Sequence, residues 1–188
     1  GEPKADKIVA PIIPDDSARM AALRDGRIDF TTFDNADAPQ MLAKDKSITV
    51  KTQQTTNYYR VALNALSPKS ELHDKRVRQA VACAIDRQAI VNAIWRGQAR
   101  LANTLLPVGH WAAATDAELA LYPHDVARAQ RLLDEAGFHA GKDGVRLTLT
   151  LKTSTDETTR LMAAVLQQQL RAAGIRLEIR SAEFGTFY

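Results

Sequence analysis

The sequence predicts an α/β fold: a mixed sheet built from βαβ units, with flanking helices. Residues 7–32 and 145–179 each read strand, helix, strand, the order of a parallel, right-handed crossover. Between them residues 74–97, DKRVRQAVACAIDRQAIVNAIWRG, form the longest run of helical periodicity. Such a run can cover the sheet the crossovers build.

Residues 7–14, KIVAPIIP, read as a strand. Pro11 cannot donate to a ladder, so this strand lies at an edge or is bulged. Asp15 or Asp16 then caps a short helix with Met20 and Leu23 inward and Gly26 at its end. A second short strand follows at 28–32, and residues 39–44 offer one or two helical turns. Residues 48–53 and 58–64 are two further strands, separated by the polar run Gln54, Thr55, Thr56 and Asn57.

In the organising stretch, Val77, Val81, Ala84 and Ile85 keep one helical stripe. Continued in phase it would reach 88 and 92, but those are Gln88 and Asn92. The apolar set resumes out of step at Ile90, Val91, Ile94 and Trp95. This slip predicts a corner at Asp86, whose carboxylate caps a second helix beginning at Arg87. Asp74 caps the first helix in the same way, and Gly97 ends the second in a left-handed turn.

Residues 98–123 contain Pro107, Gly109 and Pro123 and keep no period. They predict a long surface connection in which Leu105, Leu106, Trp111 and Tyr122 find cover. Asp125 opens a helix with Val126, Ala129, Leu132 and Leu133 inward, closed by Gly137 and covered by Phe138. Val145, Leu147, Leu149 and Leu151 alternate with polar residues, a half-buried strand over 145–151. Ser154 and Glu157 predict a capping box for a helix to about Ala173. Gly174 ends it, and Ile175, Leu177 and Ile179 alternate in the last strand.

At 188 residues the chain can bury a sizeable core, and 45% hydrophobic with 25% charged residues is ordinary for a globular protein. No apolar run reaches the ~18 residues of a membrane span. Glu2, Lys4, Asp6 and Lys7 interrupt the N-terminus too early for a signal peptide. The net charge is +3, but Lys and Arg alternate with Asp and Glu, so solvated helix faces are expected rather than a nucleic-acid interface. Cys83, the single cysteine, falls on the apolar stripe and reads as a small buried hydrophobe. The sequence holds no G-x-S-x-G, HExxH, CxxC, phosphate loop or G-x-G-x-x-G, so no enzyme activity and no cofactor are expected. His73, His110, His124 and His139 are scattered through loops and element ends without metal-ligand spacing, and no metal site is expected.

The pattern D-x-R-V-R-Q-A-x-x-x-A-I-D-R-x-x-I-V, residues 74–91, resembles family 5 of the extracellular solute-binding proteins, which serve peptide and nickel ABC importers. The N-terminal G-E-P-K-A-D-K-I-V, R-M-A-A-L-R-D-G-R-I-D-F, Y-Y-R-V-A-L-N, Leu105-Leu106-Pro107, Y-P-H-D-V-A-R-A-Q-R-L-L-D-E-A-G-F and R-A-A-G-I-R-L-E-I extend the resemblance along the chain. It implies one incomplete lobe, the second, of a two-lobe periplasmic-binding-protein fold, occupying residues 1–188. It further implies a monomer in the periplasm, or anchored outside the membrane. There it would hold peptide or a similar small solute in an interlobe cleft and deliver it to permease subunits. An alternative is the ligand-sensing part of a transcriptional regulator carrying the same lobe; residues preceding Gly1 would separate the two.

For a binding protein of this class, the loops at the carboxyl ends of sheet strands are the candidate site. Thr31 and Thr32 follow the second strand. Asn57, Tyr58 and Tyr59 enter the fourth, where amphipathic rings suit a pocket for varied side chains. Lys152, Thr153, Ser154 and Thr155 lead from a strand into a helix N-terminus, whose amides favour an anion. In dipeptide-binding members the loop matching 152–159 is longer and supplies an arginine for the peptide carboxylate. Here it reads K-T-S-T-D-E-T-T, a departure from strict dipeptide specificity. The family's acidic anchor for the peptide amino group falls beyond the equivalent of Tyr188.

Overall fold

The computed structural model describes residues 4–33, 35–53, 55–106, 109–183 and 185. They form two compact units, Gly1–Gln53 and Gln54–Tyr188.

The first unit is organised by α1 (Asp16–Arg24) and the short α2 (Ala38–Leu42). Asp15, rather than Asp16, caps α1 by accepting from the Ala18 amide at 2.7 Å. Gly26, at φ 69°, ends the turn that follows. Met20, Ala38 and Leu42 make a small core, with Leu23, Phe33, Ile48 and Val50 packed against it.

The second unit contains α3 (Lys75–Ala84), α4 (Arg87–Trp95), α5 (Val126–Glu135), β1 (Leu147–Thr153), α6 (Glu157–Ala172) and β2 (Ile175–Ser181). The corner between α3 and α4 lies where the apolar phase slips. Asp86 is the N-cap of α4, its carboxylate accepting from the Ala89 amide at 2.9 Å. Asp74 caps α3 through the Arg76 amide, and Asp125 caps α5 through the Arg128 amide. At the end of α4 Arg96 already turns left-handed, φ 48°, with Gly97 continuing at φ 77°. Beyond α5, Gly137 at φ 89° lets the Phe138 amide donate to the Leu133 carbonyl, and Phe138 packs on the core.

β1, α6 and β2 form the expected parallel crossover, in register from Leu147↔Ile175 to Thr153↔Ser181. Leu147, Leu149, Ile175 and Leu177 turn inward against Leu166 and Leu170 of α6. Val77, Val81 and Cys83 of α3, with Ala129 and Leu133 of α5, complete this core.

Several expectations need correction. The strand starts two residues later than residue 145, because the Val145 carbonyl is already taken by the Gly141 amide at 2.9 Å. The cap of α6 is Asp156, which accepts from the Thr159 amide at 2.9 Å, so the Ser154–Glu157 box does not form. Residues 7–14, 28–32, 48–53 and 58–64 join no ladder among the described residues. The first βαβ unit is therefore represented only by its helix. A strand is defined by the neighbour that takes its N–H and C=O groups, and alternation alone supplies no neighbour. Ile12 in the first of these runs is 93% exposed.

The connection 98–123 is anchored without being covered. Arg87 donates to the Ala102 carbonyl and the Asn103 side chain, and Asn103 donates to Asp116. Tyr122 packs on the core and accepts from Gln79 at 3.1 Å, but Trp111 is 92% exposed and Leu105 and Leu106 are also open. Gln54 and Pro107 lie outside the described residues. Among the described residues no helix is long and apolar enough to cross a membrane.

Asp86→Ala removes the carboxylate that fixes the start of α4 and should cost about 1 kcal/mol. Urea unfolding of the wild type and the variant measures it. An unchanged midpoint would mean that the corner does not depend on its cap.

Candidate functional site

Because β1 and β2 run parallel, their carboxyl ends lie side by side, and the loops leaving them share one end of the sheet. The Ala182 amide donates to the Thr153 carbonyl at 3.0 Å, extending the pairing by one step. Beyond it the Thr155 hydroxyl donates to Glu183 at 3.1 Å, tying the two exits together.

Strand alternation separates the expected residues here. Lys152 is exposed on the outer face, where its register partner is Arg180. Thr153 turns inward and is only 6% exposed. Ser154 is half-buried and donates its hydroxyl to Asp156. Thr155 is exposed.

Asp156 changes the electrostatics expected of this helix start. Burial pushes its carboxyl up, but hydrogen bonds from Ser154 and Thr159 outweigh burial and hold it below the usual carboxylate range. The helix thus begins on its own negative charge, and the Thr159 amide is already engaged. An anion at this helix start would meet the Asp156 carboxylate, which opposes it.

Thr31 is half-buried and Thr32 exposed, both within the first unit. Asn57 is exposed, and its amide donates to the Thr55 hydroxyl at 3.3 Å. Tyr58 and Tyr59 are 43% and 46% exposed, so neither is a core residue. The Tyr59 ring lies 5.2 Å from that of Trp95, tilted by 44°.

A feature not anticipated from sequence is a cleft of about 270 Å³ between β1 and the turn preceding α3. Its polar lining comes from Asn64, Ser67, Ser70, Glu71, Thr148 and Thr150. Ser67 and Ser70 precede α3 in the chain, and only the fold sets them opposite β1. Ser70 accepts from the Leu72 amide at 3.3 Å and Asn64 from the Leu66 amide at 3.2 Å, so both also shape that turn.

The histidines stay apart. The Nδ1 of His139 is 3.0 Å from Asp134 and that of His124 is 3.8 Å from Asp86, while His110 stacks on Trp111. Arg146, then His139, hold Asp134 below the usual carboxylate range. Among the described residues no three His, Cys, Asp or Glu side chains gather as a metal site would need. Cys83 is fully buried, and burial pushes its thiol up, away from the reactive thiolate.

Residues 1–188 match the family described as bacterial extracellular solute-binding proteins, family 5 Middle. The chain belongs to this family. Among its relatives, a probable di/tripeptide-binding protein 5 of Pseudomonas aeruginosa is 33% identical over 190 residues, covering 98% of this chain and 34% of the relative. Two solved structures are similar, each at 25% identity over 93% of this chain. NikZ from Campylobacter jejuni in complex with Ni(L-His) has a TM-score of 0.81 and is covered over 36% of its length. The ABC transporter-associated periplasmic binding protein DppA from Helicobacter pylori, in complex with peptide STSA, has 0.79 and is covered over 32%. This family 5 chain spans about a third of the length of the curated relatives it matches.

The self-capped turn makes a pH prediction. Since the folded-state pKa of Asp156 is lowered, its contribution is fully present above the unfolded value near 3.9 and is lost as pH falls through the lower folded value. Asp156→Ala should therefore destabilise by about 1 kcal/mol at neutral pH and progressively less below about pH 4. Urea midpoints of both proteins from pH 7 to pH 3 test this; a gap that widens on acidification contradicts it.

Proposed function

We propose that this chain is the second lobe of the substrate-binding component of an ABC importer. It binds peptides or a similar small solute in a cleft completed by another lobe. The observation that carries the reading is the family match across residues 1–188, with a relative named for di- and tripeptides and a structural neighbour holding a peptide. The neighbour that holds Ni(L-His) supports keeping other small solutes open. On this reading the protein works as a monomer in the periplasm or outside the membrane, hands its ligand to permease subunits, and performs no reaction. Lobe closure around the ligand is the signal passed on.

The residues assigned to ligand contact are Thr31, Thr32, Asn57, Tyr58, Tyr59, Lys152, Thr153, Ser154 and Thr155. Their chemistry suits the task. Hydroxyl and amide groups hydrogen-bond a peptide backbone regardless of side chain, aromatic rings cover apolar side chains, and the Lys152 ammonium can meet a carboxylate. Thr153 can contribute only at the margin of its buried position, so Lys152 and Tyr58 are the informative sites for substitution.

Native mass spectrometry of the full-length protein from its host should show a co-purified peptide-sized ligand. A protein that purifies empty and binds neither dipeptides nor tripeptides on titration would sink the assignment. Lys152→Ala and Tyr58→Ala should each weaken peptide binding about tenfold at an unchanged melting temperature. Calorimetric titration reads the affinity, and unaltered binding in both variants removes these residues from the site.

A further inference from the structure

Tyr59 and Trp95 are 36 positions apart in sequence, yet their rings lie 5.2 Å apart at 44°, within the range of favourable tilted aromatic pairs. The two residues are mounted differently. Tyr59 belongs to a run that joins no helix or ladder among the described residues. Trp95 is the last residue of α4 and packs, half-buried, on the main core.

Its backbone is fixed by the helix end. The Trp95 carbonyl accepts from the Gln98 amide at 2.8 Å, and the Gly97 amide closes back on the Val91 carbonyl at 3.2 Å. Left-handed Arg96 and Gly97 complete that turn. The indole is therefore held by a rigid element, with Tyr59 lying against it and keeping 46% of its surface open.

We propose that Trp95 is a positioning residue for ligand specificity: its indole holds the Tyr59 ring as a platform for an apolar or aromatic side chain of a bound peptide. This rests on the reading of Tyr59 as a ligand-contact residue. A ring with two side-chain torsions loses binding power when it must be ordered by the ligand, and a supporting ring removes that cost in advance. An apolar side chain stacked on the platform gains from the pair, while the peptide backbone, recognised through hydrogen bonds elsewhere, does not.

The test uses the full-length protein with two probes, Ala-Ala-Ala and Ala-Phe-Ala. The wild type should bind Ala-Phe-Ala about tenfold more tightly. Trp95→Ala should abolish that preference while leaving Ala-Ala-Ala affinity within about twofold, and Trp95→Phe should restore it. Tyr59→Ala should remove the same preference. The difference in tryptophan emission between the wild type and Trp95→Phe should change on adding Ala-Phe-Ala more than on adding Ala-Ala-Ala. Equal weakening of both peptides in Trp95→Ala, with a lower melting temperature, would make the indole merely structural and overturn the inference. So would a wild type without the preference, or a preference lost in Tyr59→Ala but kept in Trp95→Ala. Binding of neither peptide by the wild type is a different failure, that of the proposed function itself.

Discussion

The second unit depends on how four helices meet at residues 83–86. The Cys83 carbonyl, left over at the end of α3, accepts from the Asp125 amide that precedes α5. Three residues on, Asp86 is held from two directions. Its carboxylate caps α4, and the Gln169 side chain of α6 accepts from its amide at 3.0 Å and donates to its carbonyl at 3.2 Å. A chain reversal between helices exposes backbone groups that neither helix can satisfy, and leaving them unpaired costs more than the bonds themselves return. Here they are satisfied by α5 and α6. The corner therefore fixes where the covering helices stand with respect to the crossover that carries the sheet.

From that constraint the packing follows. With α3 anchored at its end, Val77, Val81 and Cys83 face Ala129 and Leu133 of α5 and the inner faces of β1 and β2. Arg76 reinforces the far end of the same contact by donating to the Glu135 carbonyl at 2.5 Å. The exits of β1 and β2 then fall at one end of the sheet, away from the buried core, so exposed Lys152 and Thr155 sit on a well-supported base. Rigid elements carrying exposed polar groups are what a binding surface needs.

What sequence made legible divides along the range of the interactions. Helix caps are local: Asp74, Asp86 and Asp125 each accept from an amide two or three residues on, and all three were readable from spacing. At α6 the spacing pointed to Ser154 as the cap, but Asp156 holds the position and Ser154 donates to it. The crossover was legible because both strands and their helix are consecutive. The runs at 7–14 and 58–64 also read as strands, but a run's own residues do not encode its ladder partner. At the site, Thr155 lies at a strand exit as expected and Lys152 near the end of β1, while Tyr58 and Tyr59, expected to enter a strand, are exposed on a run that joins no ladder among the described residues. The Tyr59–Trp95 pair and the cleft facing β1 escaped because they join residues distant in sequence, and Trp95 read simply as part of an apolar stripe.

The electrostatics of the β1 exit bear on which ligands the proposed function allows. A helix N-terminus with open amides is a fixed anion trap, and a bidentate arginine fixes a carboxylate at one distance and orientation. At 152–159 this chain has no arginine, Asp156 occupies the helix start and takes its Thr159 amide, and Arg160 falls inside α6. The cations near the strand exits are Lys152 and, beside it on the outer face, Arg180, which pairs with Glu178. Lysine carries its charge as a point on a flexible stem, so it can follow a carboxylate over several ångströms at some cost in side-chain entropy. On the proposed reading, that exchange trades affinity for one ligand length against tolerance of several. Glu183, held by Thr155 beside the same exit, keeps the local charge from being purely positive and disfavours small inorganic anions there. A ligand carrying both a carboxylate and hydrogen-bonding amide groups matches such mixed surroundings better than a simple anion does.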